Sequence, residues 1–134
     1  MAVTNINTIL PVDIKTVWDI VTSLNNYTWR SDISKIEIIE PQKKFIEYTA
    51  NNYPTTFTIT AYEPYHRYEF DMENDNIKGH WTGLFTYQNG ITTIDFTEDV
   101  IAKKIYMKPL VKSYLKKQQT IYLNDLKKAL EIIQ

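Results

Sequence analysis

One carboxylate in the sequence lies where acids are uncommon. Glu98 follows Ile94 and Phe96 at alternate positions of the segment 91–102, and alternate residues of a β-strand share one face. Burial on that apolar face would raise its pKa, which suits an acid to general acid–base chemistry or to holding the polar end of a ligand. The opposing interpretation is that Glu98 lies at an open rim or is turned to water by a bulge, because burying an unpaired carboxylate is costly.

Polar groups also interrupt the apolar stripe near the end of the chain. After Pro109, apolar residues recur at helical spacing, and Gln118 stands in that stripe between Tyr114 and Tyr122. The amide and the two hydroxyls could supply hydrogen bonds to a molecule enclosed beside the helix. The alternative is that these are amphipathic core residues whose polar ends reach solvent.

Large apolar side chains are candidates for the wall of such an enclosure. Ordinary core packing explains them equally well, because aromatic residues dominate protein cores as well as ligand pockets. Together with Glu98, Tyr114, Gln118 and Tyr122, the predicted ligand-binding residues are Trp29, Ile59, Tyr68, Phe70, Trp81 and Phe96.

Several classes of reactive site are excluded by residue type. The sequence contains no cysteine, which rules out disulfides, thiol nucleophiles and cysteine-ligated metals. The two histidines, His66 and His80, fall in a turn and on the outer face of a predicted sheet, so no metal site is predicted. Neither a glycine-rich phosphate loop nor a G-x-S-x-G element occurs, and no cofactor is expected.

Charge and hydropathy limit the partners. The 134 residues carry 15 basic and 16 acidic side chains, a formal net charge of −1, which argues against a nucleic-acid-binding protein. No apolar run reaches the roughly 18 residues of a membrane span, and no signal-peptide pattern is found, so we expect a cytoplasmic protein. Lysines concentrate in residues 103–128, either as a solvated helix face or as a surface that steers an anionic ligand or a membrane.

Hydrophobic periodicity predicts one α+β domain over residues 1–134, a length that suits a single core. A strand over 4–10 precedes a helix that Asp13 can cap, and 24–30 is predicted as a second short helix or a turn. A final helix of about 25 residues follows Pro109. Between residue 30 and the final helix, six strands are predicted. They cover residues 33–40, 43–50 (with Ile46 and Tyr48 on the apolar face), 55–63, 67–73, 77–88 and 91–102.

Turn sequences predict the strand register at three hairpins. The Asn-Gly pair at 89–90 is the strongest two-residue hairpin signal, a second such loop is predicted at 75–76, and a four-residue turn at 63–66. All three turns place the apolar residues of their strands on one face of the sheet. A register shift of one residue would distribute these residues over both faces. The predicted rows are Ile59–Phe70–Trp81–Glu98, Ala61–Tyr68–Gly83–Phe96 and Phe57–Met72–Gly79–Val100.

Two glycines occupy inward positions of one long strand. Gly79 and Gly83 flank Trp81, and glycine at such positions marks a sharp bend or space left for something else. We therefore expect a strongly curved antiparallel sheet, covered on its concave side by the C-terminal helix. Whether Trp81 and Phe70 fill the enclosed space or line it stays open at this point.

These features together resemble the START-like or helix-grip superfamily (SRPBCC), in its polyketide cyclase and lipid transport branch. The resemblance is carried by the opening Pro11–Trp18, the tryptophan-containing turn Trp29–Asp32 and the late hairpin Gly79–Phe96. It implies a sheet of about seven strands wrapped around the C-terminal helix, enclosing a cavity for an apolar or amphipathic small molecule. It implies no single activity, since the superfamily includes carriers, cyclases, hydrolases, dehydratases and chaperone-activator domains.

Three functions follow as expectations. The favoured one is a carrier or sensor that binds a hydrophobic or amphipathic small molecule. The second is a cyclase- or hydrolase-type enzyme with Glu98 as acid or base. The third is a protein-partner module, which needs an exposed apolar patch on the convex face; the alternating threonines and charges there disfavour it. We expect a monomer or a weak homodimer without nucleic acid.

Overall fold

Seven antiparallel strands and two helices make up the fold. The computed structural model describes residues 2–133, with the side chains of 2–131, so Ile133 of the predicted stripe has no described side chain. The sheet order is β1-β7-β6-β5-β4-β3-β2, which confirms the predicted α+β helix-grip fold. The elements are β1 (Ala2–Leu10), α1 (Ile14–Thr22), β2 (Lys35–Glu40), β3 (Lys44–Tyr48), β4 (Pro54–Glu63), β5 (Arg67–Glu73), β6 (Ile77–Gln88), β7 (Ile91–Ala102), a 3₁₀ turn (Ile105–Met107) and α2 (Lys108–Ile133).

Only one of the two predicted short helices is present between β1 and β2. α1 begins after Asp13, whose carboxylate accepts hydrogen bonds from the Thr16 amide at 3.1 Å and the Thr16 hydroxyl at 2.6 Å, a normal N-cap. The segment 24–30 forms turns, in which Trp29 Nε1 donates to the Asn26 carbonyl at 3.1 Å. A side-chain bond to the backbone here replaces the helical ladder.

The registers predicted from turn chemistry are correct at two hairpins. Asn89 and Gly90 have φ values of 51° and 81°, as a type I′ turn requires. This turn pairs Trp81 with Glu98. The β5–β6 hairpin pairs Phe70 with Trp81. The candidate residues therefore share one face of the sheet because two short turns place them there.

The third hairpin is correct at two of its predicted pairs, Ile59–Phe70 and Phe57–Met72, and wrong nearer the turn. Tyr68 pairs with Tyr62, where the predicted turn required Ala61. A bulge between Ile59 and Ala61 adds one residue to β4, which shifts the pairing on the turn side. Beyond the bulge, Ile59 pairs with Phe70 as predicted. A bulge leaves no signature in the alternation of side chains, so the sequence did not indicate it.

Both helices pack on the concave face of the sheet. Val17 and Trp18 of α1 are buried, as are Leu115 and Leu126 of α2. Trp18 meets the ring of Phe85 edge to face, with centroids 4.9 Å apart, a favoured aromatic geometry. Leu115 also lines the cavity described below, so the core and the cavity share the concave face.

A charged cluster crosses the convex face. His80 lies opposite Asp99 as predicted, and its two ring nitrogens lie 2.7 Å from Glu69 and 2.7 Å from Asp71. Burial acts to lower the pKa of His80, but the hydrogen bonds to Asp71 and Glu69 raise it overall. The hydrogen bond from His80 in turn lowers the pKa of Glu69. The cluster is thus a pair of charge-assisted hydrogen bonds when the imidazole is protonated.

We expect the His80 cluster to stabilise the fold in mildly acidic solution only. Because its pKa is raised in the folded state, the contribution of His80 is complete below the ordinary histidine pKa and is lost as the pH rises through the raised value. His80→Gln should therefore cost about 0.5–1 kcal/mol more at pH 5.5 than at pH 8.5. Urea denaturation at both pH values measures this, with His66→Gln in the β4–β5 turn as the control. An equal cost at the two pH values contradicts the prediction.

Candidate functional site

A cavity of about 400 Å³ lies between the concave face of the sheet and α2. This volume is within the range of small-molecule sites. Its wall is built from every strand, from the loop 23–33 and from one side of α2. Most of the wall is apolar, with Ile6, Ile36, Phe45, Phe57, Met72 and Leu123 among the lining residues.

Nine of the ten predicted ligand-binding residues line this cavity. They are Trp29, Tyr68, Phe70, Trp81, Phe96, Glu98, Tyr114, Gln118 and Tyr122. The tenth, Ile59, is not in the cavity wall. It packs against the core instead, because on β4 the wall is formed by Thr55 and Phe57, the two preceding residues on its face. The prediction for Ile59 is therefore wrong in position, although its strand pairing is correct.

Stacked rings make the wall rigid without filling the cavity. Phe70 and Trp81 stack with centroids 4.8 Å apart and ring planes 4° apart, and Phe96 lies 4.8 Å from Trp81 on the other side. The space above Gly83 is taken by the indole, since a Cβ on Gly83 would lie 2.6 Å from Trp81 Cζ3. The glycine therefore makes room for the tryptophan, which lies along its own strand and leaves the cavity open.

Glu98 is largely buried in this wall. Its strand neighbours are Thr4 of β1 and Trp81 of β6. Among residues 2–131 no side chain or backbone group hydrogen-bonds its carboxylate. Burial raises the pKa of Glu98 to about 7, and the negative charge of Glu47 adds to the rise, while Arg30 opposes it. Near neutral pH this group can therefore accept or give a proton.

A buried ion-pair cluster, which the sequence did not indicate, also lines the cavity. Arg30 Nη1 donates to Glu47 at 2.7 Å and Arg30 Nη2 donates to Asp32 at 2.9 Å. Burial acts to lower the pKa of Arg30, but the carboxylates of Glu47 and Asp32 raise it well above its ordinary value. The loop that carries Arg30 is tied to α2, because the amide and hydroxyl of Ser31 both donate to Asp125 at 2.7 Å.

Glu47 was missed because the inner face of β3 was assigned wrongly. The alternation predicted Ile46 and Tyr48 on the apolar face, but Phe45 is buried and Glu47 lines the cavity. The acid at position 47 shares its face with Phe45, so periodicity favours the opposite face, which carries Ile46 and Tyr48. Phe45 stacks on Phe57 with ring centroids 4.9 Å apart, and this contact favours the orientation in which Phe45 and Glu47 face inward.

α2 contributes polar groups of different depth. Tyr114 is 55% exposed and stands at the rim. The Arg30 guanidinium lies 5.2 Å from the ring centroid of Tyr122, and burial raises the pKa values of both tyrosines. Gln118 is partly buried. Gln119, which was not predicted, is buried and donates to the Thr4 carbonyl at 3.5 Å. Its helical spacing from Leu115 could have indicated this.

The part of the chain that the structure describes has neither a metal-binding cluster nor a helix that could span a membrane. Among residues 2–133, no group of three or more histidine, aspartate or glutamate side chains is arranged to hold a metal ion. Over the same residues, neither helix is long and apolar enough to cross a membrane.

Solved structures share this fold at low sequence identity. A START superfamily protein from Mycobacterium smegmatis has a TM-score of 0.84 at 15% identity, over 98% of this chain and 99% of its own. A conserved protein from Geobacillus kaustophilus has a TM-score of 0.81 at 12% identity, over 95% and 93%. The di-domain ARO/CYC BexL of the BE-7585A biosynthetic pathway has a TM-score of 0.80 at 12% identity, over 99% of this chain and 47% of its own.

Sequence comparison identifies the family. No curated protein shows significant similarity to the chain. The family model described as polyketide cyclase / dehydrase and lipid transport matches residues 2–131, nearly the whole chain. The fold agrees with that match, since START superfamily structures superpose over almost all of it. The chain therefore belongs to the polyketide cyclase / dehydrase and lipid transport family.

Proposed function

We propose that the protein binds a hydrophobic or amphipathic small molecule in this cavity and acts as a carrier or sensor. The observation that carries the proposal is a cavity of about 400 Å³ with an apolar, aromatic wall and a carboxyl group, Glu98, that accepts no hydrogen bond from residues 2–131. Burial of an apolar ligand would supply the affinity, at about 25 cal/mol per Å². The few polar groups, Glu98 and Gln118 among them, would set its orientation.

The energetics of Glu98 support a ligand-directed role. Its pKa rises from 4.5 to about 7 on folding, so the folded state favours the protonated acid and loses stability as the pH rises from about 4.5 to 7. A neutral amide of similar shape avoids this loss. Stability alone therefore gives no reason for a carboxylate at position 98, whereas contact with a ligand does.

A test uses the neutral fluorophore N-phenyl-1-naphthylamine and a matched pair of variants on β1. Ile6 lines the cavity, and Ile9 lies on the outer face of the same strand, 64% exposed. Ile6→Trp should weaken fluorophore binding at least tenfold, because the larger side chain takes up cavity volume. Ile9→Trp should leave binding unchanged. Fluorescence titration measures both affinities, and circular dichroism checks that both variants fold.

A second test of the proposed function is native mass spectrometry of the protein purified from its source. A bound small molecule should be retained by the wild type and lost from Ile6→Trp. Absence of saturable fluorophore binding together with absence of any retained molecule would contradict the proposal. Equal binding by the two variants would place the ligand outside the cavity.

A small-molecule enzyme of cyclase or hydrolase type is the second candidate. The observation that favours it is a carboxyl with a pKa of about 7 that lines the same cavity as Tyr114 and Tyr122. In that case Glu98→Gln should abolish turnover of the retained molecule while leaving its binding intact. A retained molecule that keeps its mass on incubation with the wild type supports the carrier or sensor.

A further inference from the structure

The cavity has an excess of acidic groups. Within the described part of the chain, its lining contains one basic side chain, Arg30, and no lysine or histidine. Three acids line it, Asp32, Glu47 and Glu98. The interior therefore carries a net negative charge of one when Glu98 is protonated and of two when it is ionised. A charged ligand entering it meets this imbalance at short range, where screening by solvent is weak.

Arg30 is not free to bind an anionic ligand. Its guanidinium makes two bonds to Glu47, at 2.7 and 3.2 Å, and two to Asp32, at 2.9 and 3.2 Å. All three of its nitrogen atoms are thus engaged with carboxylates. A carboxylate or phosphate on a ligand would have to break these bonds and leave a buried acid unpaired, which is strongly unfavourable.

Glu98, in contrast, has an unused charge. No hydrogen bond reaches its carboxylate from residues 2–131. The residues beside it on the neighbouring strands, Thr4 and Trp81, carry no charge. The indole of Trp81 packs between Phe70 and Phe96, so this part of the wall is apolar. A carboxylate without a hydrogen-bond donor in an apolar, uncharged part of the wall favours a positive group at this point.

We infer that the cavity selects amphipathic molecules with a cationic head group, an amine above all, with Glu98 as the counter-ion. This inference rests on the proposed function, which it deepens by naming the ligand class. An ammonium group gains an ion pair with ionised Glu98, and an uncharged hydroxyl gains one hydrogen bond. A carboxylate gains neither while Glu98 is ionised and is repelled.

The lysines of α2 do not reverse this preference. Lys112, Lys116 and Lys117 are exposed, and none of them lines the cavity. They can raise the local concentration of anions outside the protein. They cannot pair with a head group that lies beside Glu98, so selection inside the cavity follows from the groups that line it.

Three probes with the same ten-carbon chain test the inference: decylammonium, decanol and decanoate. Each displaces N-phenyl-1-naphthylamine below its micelle concentration, at pH 8. We expect decylammonium to bind at least tenfold more tightly than decanoate, with decanol between them. Glu98→Gln should reduce the ratio of decylammonium to decanoate affinity about tenfold. Asp99→Asn, one residue along β7 on the outer face, should leave the ratio unchanged.

The unmodified protein gives a second readout that needs no variant to fold. The preference for decylammonium should shrink between pH 8 and pH 5.5, as Glu98 becomes protonated. The other titratable or charged groups that line the cavity are Tyr27, Arg30, Asp32, Glu47, Tyr68, Tyr114 and Tyr122. The tyrosines whose shift is resolved, Tyr68, Tyr114 and Tyr122, have raised pKa values because of burial, so they stay neutral at both pH values.

The outcomes separate this inference from the proposed function. Failure of all three probes and of the fluorophore to bind would overturn the proposed function itself. Binding of all three with decanoate equal to or tighter than decylammonium would overturn only the cation preference. A preference for decylammonium that survives in Glu98→Gln and at pH 5.5 would also overturn it, since Glu98 would then not be the counter-ion.

Discussion

Arg30→Ala is expected to lower the free energy of unfolding by about 3–5 kcal/mol. The guanidinium is the partner of both Glu47 and Asp32, and all three side chains are mostly removed from solvent. Removing the cation leaves two carboxylates together in a low-dielectric site, where they lose their hydrogen bonds and repel each other. Urea denaturation at pH 7 measures the loss, and the binding assays above test whether the wall around Tyr122 survives.

The matched control for this variant is an exposed ion pair. Lys15 and Asp19 lie 2.7 Å apart on α1, with side chains 67% and 53% exposed, so solvent screens their interaction. Lys15→Ala should leave the free energy of unfolding nearly unchanged. If Arg30→Ala destabilises the protein no more than Lys15→Ala does, the cluster is not the structural anchor that its geometry indicates.

Trp81→Ala is the second change with a large expected effect, a loss of about 3–5 kcal/mol in the free energy of unfolding. Trp81 is 8% exposed, and its ring packs between Phe70 and Phe96. The substitution joins the volume of the indole to the existing cavity. Binding of N-phenyl-1-naphthylamine should persist in the variant, because the wall on the side of α2 is unchanged.

A double-mutant cycle with Gly83 isolates the cause of this effect. In the wild type a Cβ at position 83 meets the Trp81 ring at 2.6 Å, so Gly83→Ala alone should destabilise the protein by displacing the indole. In the Trp81→Ala background the same change should cost at least about 1 kcal/mol less. Additive effects of the two substitutions would show that the indole does not lie over Gly83.

The Arg30 ion-pair cluster and Glu98 have different consequences for function. The Arg30–Glu47–Asp32 group is saturated by its own bonds, so it can hold the loop against α2 and shape one end of the cavity. Within residues 2–131 no such bond reaches the Glu98 carboxylate, and Glu98 is held in the wall by its position in the sheet. A ligand is therefore expected to interact with Glu98, and substitutions at Arg30 should act mainly through stability.

Local signals in the sequence were sufficient for most of the architecture. Asn89-Gly90 imposed a type I′ turn, and the registers of β6 and β7 followed from it. Phe96 and Glu98 alternate with outward residues of β7, and this alternation alone predicts that the Glu98 carboxylate lies on the concave face. These predictions are correct because a short turn and a two-residue period are determined by neighbouring residues alone.

Tertiary structure decided the rest. Three features depend on packing or on residues distant in sequence. They are the bulge after Ile59, the inward position of Phe45 on β3 and the ion pair of Arg30 with Glu47. Glu47 makes the inward face of β3 look the more polar of the two in sequence, and Phe45 lies inward because it stacks on Phe57 of β4. An ion pair between residues 17 apart likewise has no local period to reveal it. The sequence by itself thus determined the fold and the position of Glu98 on the concave face of the sheet. Long-range packing decided which charged residues share the cavity with Glu98, because charge pairing in a cavity depends on distances that no local pattern encodes.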